Sequence, residues 1–288
     1  MSRPGSLAQH LRQLQAMGLP RLEAQMLVLH AAGQRPDDRA WLISHDEQVL
    51  TFEQADELCR CGRRRLDGEP MAYVLGVKEF HGLSLEVDAR VLDPRDDTET
   101  LVDWALEVLS PDQPNEVLDL GTGSGAIALA LAHARPAWRV SAIDVSADAL
   151  SVARHNGERL GLPVRWLLGS WFKPCAGQGF DLIVSNPPYI AAQDPHLAAL
   201  RHEPMGALVS GSDGLEDLRQ IITAAPAHLR PGAWLMLEHG HDQASAVRDL
   251  LHQAGMTSVR SRQDLAGIER CSAGQWLPKQ GFASREII

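Results

Sequence analysis

The stretch Val117-Leu118-Asp119-Leu120-Gly121-Thr122-Gly123-Ser124-Gly125-Ala126 decides the fold. An apolar run of strand type leads into three glycines at alternate positions, and a helix pattern of small and apolar residues follows. Glycine lets the backbone turn tightly and approach a ligand closely, and the start of a helix offers free N–H groups to that ligand. This order of residues predicts a strand, a ligand-binding turn and a helix.

An acidic residue follows this turn at a spacing typical of nucleoside sites. Asp144 comes 23 residues after Gly121 and ends the next predicted strand. A carboxylate there can bind both hydroxyls of a ribose, so the turn and Asp144 together predict a site for a nucleoside-containing cofactor. Gly121, Gly123 and Ala126 also fit the looser GxGxxA pattern, which keeps NAD open as an alternative. A turn used only for packing a helix on a sheet is the plainer interpretation.

Strand and helix patterns alternate from residue 115 onward. Strands are predicted at 115–120, 138–143, 164–168, 180–185, 233–238, 256–261 and 269–275, and helices at 124–134, 147–160, 214–229 and 242–254. This alternation is typical of βαβ units in a doubly wound sheet. The predicted fold class is α/β, with a seven-stranded, mainly parallel, Rossmann-like sheet.

The chain before this region has a different character. Apolar residues recur at helical spacing over 6–17 and 21–32, and Thr51 with Gln54 has the spacing of a capping box that opens another helix. These patterns predict a small all-helical N-terminal domain.

A short connecting segment follows the N-terminal helices. Alternation over 83–87 indicates a strand, and Ala89 to Leu92 is the predicted returning strand of a hairpin. A further helix is predicted at 98–109.

Composition and charge exclude several classes of protein. The chain has 288 residues, of which 44% are hydrophobic and 22% charged, as is typical of a soluble globular protein. A net charge of −10 argues against a broad basic surface for duplex nucleic acid. The four cysteines form no CxxC pair, so no metal site is expected. Neither a signal peptide nor a membrane-spanning stretch is recognisable, which predicts a cytoplasmic protein.

A second unusual stretch is Ser185-Asn186-Pro187-Pro188-Tyr189, directly after the apolar strand 180–184. The prolines fix their own φ angles and restrict the residues before them, so the turn is stiff and extended. The side-chain oxygen of Asn186 and a proline carbonyl can each accept an N–H, and the Tyr189 ring can stack on a planar group. The stretch therefore predicts a site for a planar NH₂ group, whereas the plainer interpretation is a Pro-Pro turn with an incidental Asn.

The positions of the two turns relate them to one crevice. Ligands of doubly wound sheets bind beyond the carboxyl ends of the strands, where the strand order reverses. If the strands ending at Leu120 and Ser185 are neighbours, both turns face that crevice. Trp171, after the third strand, could lie there against an adenine ring, or it could pack in the core; the sequence favours neither.

The glycine turn, Asp144 and the Asn186–Tyr189 turn resemble class I S-adenosylmethionine-dependent methyltransferases that modify amide or exocyclic nitrogens. Over roughly residues 6–275 the chain resembles more specifically the glutamine N5-methyltransferases of peptide-chain release factors, the HemK/PrmC family. The stretches that carry this resemblance are Gly68–Tyr73, Glu79-Phe80, Pro94-Arg95, Thr98-Glu99, Gln193–Pro195, Glu203-Pro204, Ala207-Leu208 and Glu238–Gly240.

That resemblance implies a reaction and its partner. The enzyme is expected to transfer a methyl group from S-adenosyl-L-methionine to the side-chain amide nitrogen of the glutamine in the Gly-Gly-Gln motif of class 1 peptide-chain release factors. It is expected to act as a monomer without stable nucleic-acid binding. The implied domains are 1–75 for substrate recognition, 76–96 for a β-hairpin linker and 97–288 for catalysis.

The resemblance also implies roles for individual residues. The cofactor site is expected to comprise Gly121, Thr122, Gly123, Ser124, Gly125, Asp144, Trp171 and Asn186. Asp144 is expected to bind the ribose hydroxyls and Trp171 to flank the adenine. The substrate amide is expected between Asn186, Pro187, Pro188 and Tyr189, with Asn186, Pro187 and Tyr189 as the catalytic residues.

Alternatives and departures from the family pattern accompany this prediction. The same turn would serve an adenine N6-methyltransferase acting on DNA or RNA, and a ribosomal-protein glutamine is another possible target. The family usually has an acid where this chain has Ser170, and apolar or proline residues where it has Asp93 and Asp96. The tail 277–288 extends beyond the expected end.

Overall fold

The structure is a computed structural model that describes residues 5–278. The chain divides into two compact units, one comprising the residues up to Lys78 with Val87–Ala89 and the other Glu79–Glu86 with the residues from Arg90 onward. The three-part domain division expected above stays a prediction. The tail noted at 277–288 lies, from residue 279 on, outside the described residues.

The described part of the first unit is helical, as predicted. Its helices are α1 Leu7–Ala16, α2 Arg21–Ala31, α3 Arg39–Ser44, α4 Phe52–Leu66 and α5 Met71–Leu75. The capping box of α4 is present, since Thr51 Oγ1 accepts from Gln54 N at 3.2 Å and Thr51 N donates to Gln54 Oε1 at 2.9 Å. Helices α3 and α5 were not predicted, because a helix of five or six residues completes too few turns for its period to show.

A two-stranded hairpin follows, formed by β1 Val77–Phe80 and β2 Leu83–Glu86. The prediction that Ala89–Leu92 is the returning strand was wrong, because the partner of β2 precedes it in the chain. The turn between the strands is His81-Gly82, with φ angles of 49° and 77°. Two successive positive φ angles are typical of tight hairpin turns, but His at the first position hides that signal in the sequence.

The second unit contains the predicted sheet. Its helices are α6 Glu99–Val108, α7 Ala126–Ala134, α8 Ala147–Leu160, α9 Glu216–Ala224 and α10 Ala244–Gln253. Its strands are β3 Glu116–Leu120, β4 Arg139–Asp144, β5 Val164–Leu168, β6 Phe180–Ser185, β7 Leu229–Glu238, β8 Thr257–Gln263 and β9 Glu269–Gln275. The strand order β5-β4-β3-β6-β7-β9-β8 confirms a seven-stranded α/β sheet.

Two differences from the predicted element bounds have local causes. Helix α9 ends at Ala224, and a single 3₁₀ turn over Ala225–Ala227 replaces its predicted continuation to residue 229. Pro226 in that turn has no N–H to donate to a helical hydrogen bond. Strand β7 consequently begins at Leu229 rather than at residue 233.

The direction of the strands places the two unusual turns at one edge. Strands β5, β4, β3, β6 and β7 are parallel, whereas β9 is antiparallel to both of its neighbours, β7 and β8. Strand β3 pairs with both β4 and β6, so the strand order reverses between β3 and β6. Leu120 lies opposite Ser185 in that pairing, which confirms the predicted neighbourhood of the two strand ends. None of the helices in residues 5–278 is both long and apolar enough to cross a membrane.

Candidate active site

The glycine turn after β3 has the open backbone that a ligand needs. The φ angles of Gly121, Gly123 and Gly125 are 69°, 56° and 86°, a region that residues with a Cβ rarely adopt. A Cβ placed on Gly123 would meet nothing within 4 Å, so this glycine borders open space. A Cβ on Gly125 would lie 3.1 Å from both Leu129 Cδ1 and Trp166 Cη2. Gly125 therefore serves packing, while Gly123 leaves room for a ligand.

The side chains within the turn point to the protein rather than to the open space. Thr122 and Ser124 are both buried, and Thr122 Oγ1 donates to Asp119 Oδ2 at 2.6 Å. Asn156 Nδ2 donates to the Ser124 carbonyl at 3.1 Å. Any contribution of Thr122 and Ser124 to ligand binding therefore comes from their backbone.

Asp119 is an acidic group of this region to which the sequence assigned no role. Its side chain is fully buried, and desolvation raises its pKa to about 7. Within residues 5–278, its Oδ1 has no hydrogen-bond partner. Asp119 holds Thr122 and so fixes the shape of the turn from beneath.

Asp144 lies beside the turn, at the end of β4. Its Oδ2 accepts from Gly123 N at 2.9 Å, and its Oδ1 accepts from Ser146 N at 2.9 Å. Burial raises the pKa of this carboxyl, and the backbone hydrogen bonds from Ser146, Gly123 and Val145 oppose the rise. A carboxylate oxygen has more than one acceptor position, so Asp144 can accept ribose hydroxyls while it keeps both backbone bonds.

Trp171 lies against the glycine turn. A Cβ placed on Gly121 would be 3.6 Å from Trp171 Cζ3, and the indole also packs against the apolar core of the sheet. The φ angle of Trp171 is 46°, an uncommon value for a bulky residue that is often found at functional sites. The sequence left open whether Trp171 packs in the core or lies beside the cofactor site. The indole does both, since it contacts the core and also the glycine turn.

The turn after β6 is held in place by a hydrogen bond to its Tyr189 carbonyl and by close contact of that carbonyl with a glycine. Gln243 Nε2 donates to the Tyr189 carbonyl at 3.0 Å, while Gln243 Oε1 accepts from Gly240 N at 2.8 Å. A Cβ placed on Gly214 would lie only 2.3 Å from the Tyr189 carbonyl oxygen. Neither Gly214 nor Gln243 was predicted from the sequence as part of the site. No local pattern pointed to either residue, because their contacts with Tyr189 join segments that are far apart in the chain.

Side chains of the same turn form one wall of a cavity of about 290 Å³. The cavity is lined by Leu92, Arg95, Asn186, Tyr189, Ile190, Leu200, Ala207 and Leu208. Most of these residues are apolar, which suits a flat organic group better than a hydrated ion. Burial raises the pKa of the Tyr189 hydroxyl, so this phenol stays protonated at neutral pH.

Arg95 is the charged residue of the cavity wall and is itself paired. Its guanidinium forms a short ion pair with Glu203, and it lies 3.5 Å from Asp93 Oδ2. Asp93 N also donates to Glu203 Oε2 at 3.2 Å. Asp93, a departure from the family pattern, therefore adds a second acid beside Arg95.

Asn186 reaches across to the start of α6 and to β7. Its Nδ2 donates to Thr98 Oγ1 at 3.1 Å. Glu238, the last residue of β7, is buried next to it, and burial raises the pKa of Glu238 to about 7 against hydrogen bonds from Thr98 and Asn186. The sequence quoted Thr98 and Glu238 without assigning either a role.

The structure therefore brings the sequence-predicted residues into one region of the second unit. The glycine turn, Asp144 and Trp171 lie together on one side, and Asn186 to Tyr189 follow the adjacent strand. An open glycine turn, a carboxylate and a half-buried indole fit a group that contains adenosine.

Comparison with known proteins bears on this arrangement. A family model described as "Methyltransferase small domain" matches residues 98–203, and one described as "PrmC N-terminal domain" matches residues 7–76. The release factor glutamine methyltransferase of Bordetella pertussis is 52% identical over 260 residues, covering 89% of this chain and 95% of the relative. That of Escherichia coli K12 is 43% identical over 273 residues, covering 94% and 97%.

A solved structure supports the fold alone. The methyltransferase from Pyrococcus furiosus superposes with a TM-score of 0.52 at 22% identity, covering 74% of this chain and 96% of that one.

Proposed function

This chain belongs to the release factor glutamine methyltransferases, and on that premise we propose that its Asn186–Tyr189 turn binds the side-chain amide of a release-factor glutamine. The enzyme uses S-adenosylmethionine as the methyl donor and methylates a protein glutamine at N5. The target in this proposal is the glutamine of the Gly-Gly-Gln motif in class 1 peptide-chain release factors.

One observation carries the proposal. The glycine turn and the Asn186 turn leave neighbouring parallel strands at positions that face each other, Leu120 and Ser185. Within the described residues, Asn186 Oδ1 accepts no hydrogen bond, and Asn186 lines the cavity beside Tyr189. An unused acceptor in an apolar cavity next to a nucleoside site is what an amide NH₂ requires of its binding partner.

The cofactor side of the site follows from the same geometry. Gly121 to Gly125 offer backbone to the methionine portion, Asp144 accepts the ribose hydroxyls, and Trp171 flanks the adenine. When bound, S-adenosylmethionine supplies an electrophilic methyl group on a sulfonium. Ser170 precedes Trp171 in the chain, and the family usually has an acidic residue at this position. The adenine would therefore meet a hydroxyl group here instead of an acid.

The remaining chemistry belongs to the residues of the chain. The lone pair of a glutamine amide nitrogen is delocalised into its carbonyl, so orientation contributes more than acid or base strength. Asn186 Oδ1 and the Pro187 carbonyl accept the two amide protons and turn the nitrogen towards the methyl group. These acceptors also stabilise the positive charge that develops on the nitrogen. Tyr189 and Pro188 enclose the flat amide, and the methylated nitrogen releases one proton to water.

Charge pairing in α4 bears on nucleic-acid binding. Arg60, Arg64 and Arg65, three of the four arginines of this helix, form side-chain hydrogen bonds with Glu57, Glu69 and Glu23, respectively. A net charge of −10 points the same way.

We also propose that the protein is a cytoplasmic monomer and that it does not bind nucleic acid stably. We assign substrate recognition to residues 1–75, beyond which the hairpin linker and the catalytic domain follow.

Mass spectrometry of the Gly-Gly-Gln loop tests this function. Purified class 1 release factor is incubated with the enzyme and S-adenosylmethionine, and an equal incubation contains DNA instead. A gain of one methyl group on the glutamine supports the proposal, and an unmodified release factor beside methylated DNA overturns it. The Asn186→Ala enzyme serves as the control for a contaminating activity.

A further inference from the structure

Asn186 and Glu238 are neighbours because of the register between two strands. Strands β6 and β7 are parallel, and Ser185 lies opposite Leu237. Asn186, which follows the last residue of β6, therefore lies next to Glu238, the last residue of β7. Glu238 is 1% exposed, so its carboxyl group lies within the protein behind Asn186.

Thr98 completes a closed group of three side chains. It is 4% exposed and precedes α6, and its Oγ1 accepts from Asn186 Nδ2 at 3.1 Å. Thr98 and Asn186 both lower the pKa of the neighbouring Glu238 carboxyl, which is buried beside them. The NH₂ end of the Asn186 amide is thus directed towards Thr98 Oγ1, on the side of the protein where Glu238 is buried.

The direction of this amide decides whether the turn can bind a glutamine. The two ends of an asparagine amide have nearly the same shape but opposite hydrogen-bonding character. With its NH₂ towards Thr98 and Glu238, Asn186 presents its oxygen to the cavity, where it can accept a substrate N–H. If the amide turned over, its NH₂ would meet the substrate NH₂, and two donors repel.

We propose that Glu238 and Thr98 are positioning residues that hold the Asn186 amide with its oxygen facing the substrate glutamine. This inference rests on the function proposed above. By accepting an amide hydrogen, Thr98 also polarises Asn186, and the nearby Glu238 carboxyl adds to this effect, which makes the Asn186 oxygen a better acceptor for the developing positive charge.

The incomplete bonding of Glu238 supports a functional role. Its Oε2 has no hydrogen-bond partner within residues 5–278, although it is buried. A buried acid with an unsatisfied oxygen costs stability, and a Leu or Met of similar volume would not carry that cost. The acid is explained if it is needed to orient Asn186.

Thr98→Val and Thr98→Ser provide the matched test. Valine keeps the shape of threonine without its hydroxyl, and serine keeps the hydroxyl. We expect Thr98→Val to lower kcat about tenfold, as the loss of one hydrogen bond predicts, with KM for release factor and affinity for S-adenosylhomocysteine within twofold. Thr98→Ser and Glu238→Gln are expected to retain more activity than Thr98→Val and Glu238→Ala, respectively.

A spectroscopic measurement makes the test independent of turnover. The side-chain NH₂ signals of Asn186 in the ¹⁵N–¹H spectrum are assigned by their absence from Asn186→Ala. They are expected to move upfield in Thr98→Val and to stay in place in Thr98→Ser. In the Asn186→Ala background, Thr98→Val is expected to cause no further loss of kcat, because the two act as a unit.

The outcomes separate the inference from the proposed function. If the unmodified enzyme does not methylate the release-factor glutamine, the proposed function fails. If it does, but Thr98→Val leaves kcat and the Asn186 signals unchanged, the positioning role is wrong. A loss of kcat that is equal in the Asn186→Ala background would also overturn it, since that is the behaviour of a purely structural residue.

Discussion

Ser185 Oγ donates a hydrogen bond to the Leu120 carbonyl at 2.7 Å, across the point where the strand order of the sheet reverses. Both residues are fully buried. This bond ties the last residue before the Asn186 turn to the last residue before the glycine turn. The distance between the glycine turn, which binds the methyl donor, and the Asn186 turn, which binds the substrate amide, is therefore fixed by the centre of the sheet rather than by loops.

Removal of the Asn186 side chain separates catalysis from cofactor binding. We expect Asn186→Ala to lower kcat by about 100-fold or more, because the oriented acceptor for the substrate amide is lost, as is typical when a group that stabilises developing charge is removed. Affinity for S-adenosylhomocysteine, measured by calorimetry, is expected to stay within a fewfold of the original value. Gln253→Ala, an exposed change at the end of α10, is the control. Full turnover in Asn186→Ala would contradict the assignment of this turn as the amide site.

Asp144 is expected to show the opposite behaviour. Asp144→Asn places an NH₂ group against Gly123 N or Ser146 N, where the carboxylate accepts at 2.9 Å in both cases. The loss of a charge-assisted bond to a ribose hydroxyl predicts a Kd for S-adenosylhomocysteine that rises about 10- to 100-fold. Asp148→Asn, an exposed acid in the first turn of α8, tests for a general effect of charge. Equal Kd values for the two variants would rule out Asp144 as a ribose ligand.

The parts of the site that the sequence predicted are local ones. The glycine turn and the Asn186 turn each follow a recognisable strand, and the alternation of elements implies that parallel strands end at one edge. The family resemblance supplied the substrate class, which the turn alone left between an adenine and an amide.

The supporting residues depend on contacts that no local pattern encodes. Thr98 and Asn186 are 88 residues apart, and their hydrogen bond requires both the position of α6 and the register of β6. The contact of Gly214 with the Tyr189 carbonyl likewise joins two loops. The hairpin was mispredicted because His81 takes a positive φ angle that its residue type does not announce.

Gly214 offers a test of how the Asn186 turn is held. Gly214 has a φ of 75°, and a Cβ there would lie 2.3 Å from the Tyr189 carbonyl oxygen. Gly161 has a φ of 66° but nothing within 4 Å, so Gly161→Ala reports the cost of the backbone angle alone, about 1–2 kcal/mol. We expect Gly214→Ala to lower the free energy of unfolding further than Gly161→Ala and to lower kcat, while Gly161→Ala leaves kcat unchanged. Equal losses of stability and unchanged kcat in both variants would show that the Tyr189 carbonyl can move freely.

The buried carboxyl of Asp119 predicts how stability depends on pH. Burial raises its pKa in the folded protein from 3.8 to about 7, so between these values the folded state holds a proton that the unfolded state has lost. Its contribution to the free energy of unfolding is therefore fully present below about pH 4 and is lost as the pH rises towards 7. The asparagine in Asp119→Asn cannot ionise, so the variant does not lose this contribution. The free energy of unfolding of Asp119→Asn minus that of the original protein should therefore become more favourable to the variant from pH 4 to pH 8. The expected change is on the order of 2–4 kcal/mol, since each pKa unit corresponds to about 1.4 kcal/mol. Urea unfolding at several pH values measures this difference, with Asp112→Asn, an exposed substitution, as the control. A difference between Asp119→Asn and the original protein that does not vary with pH would mean that Asp119 stays ionised in the fold.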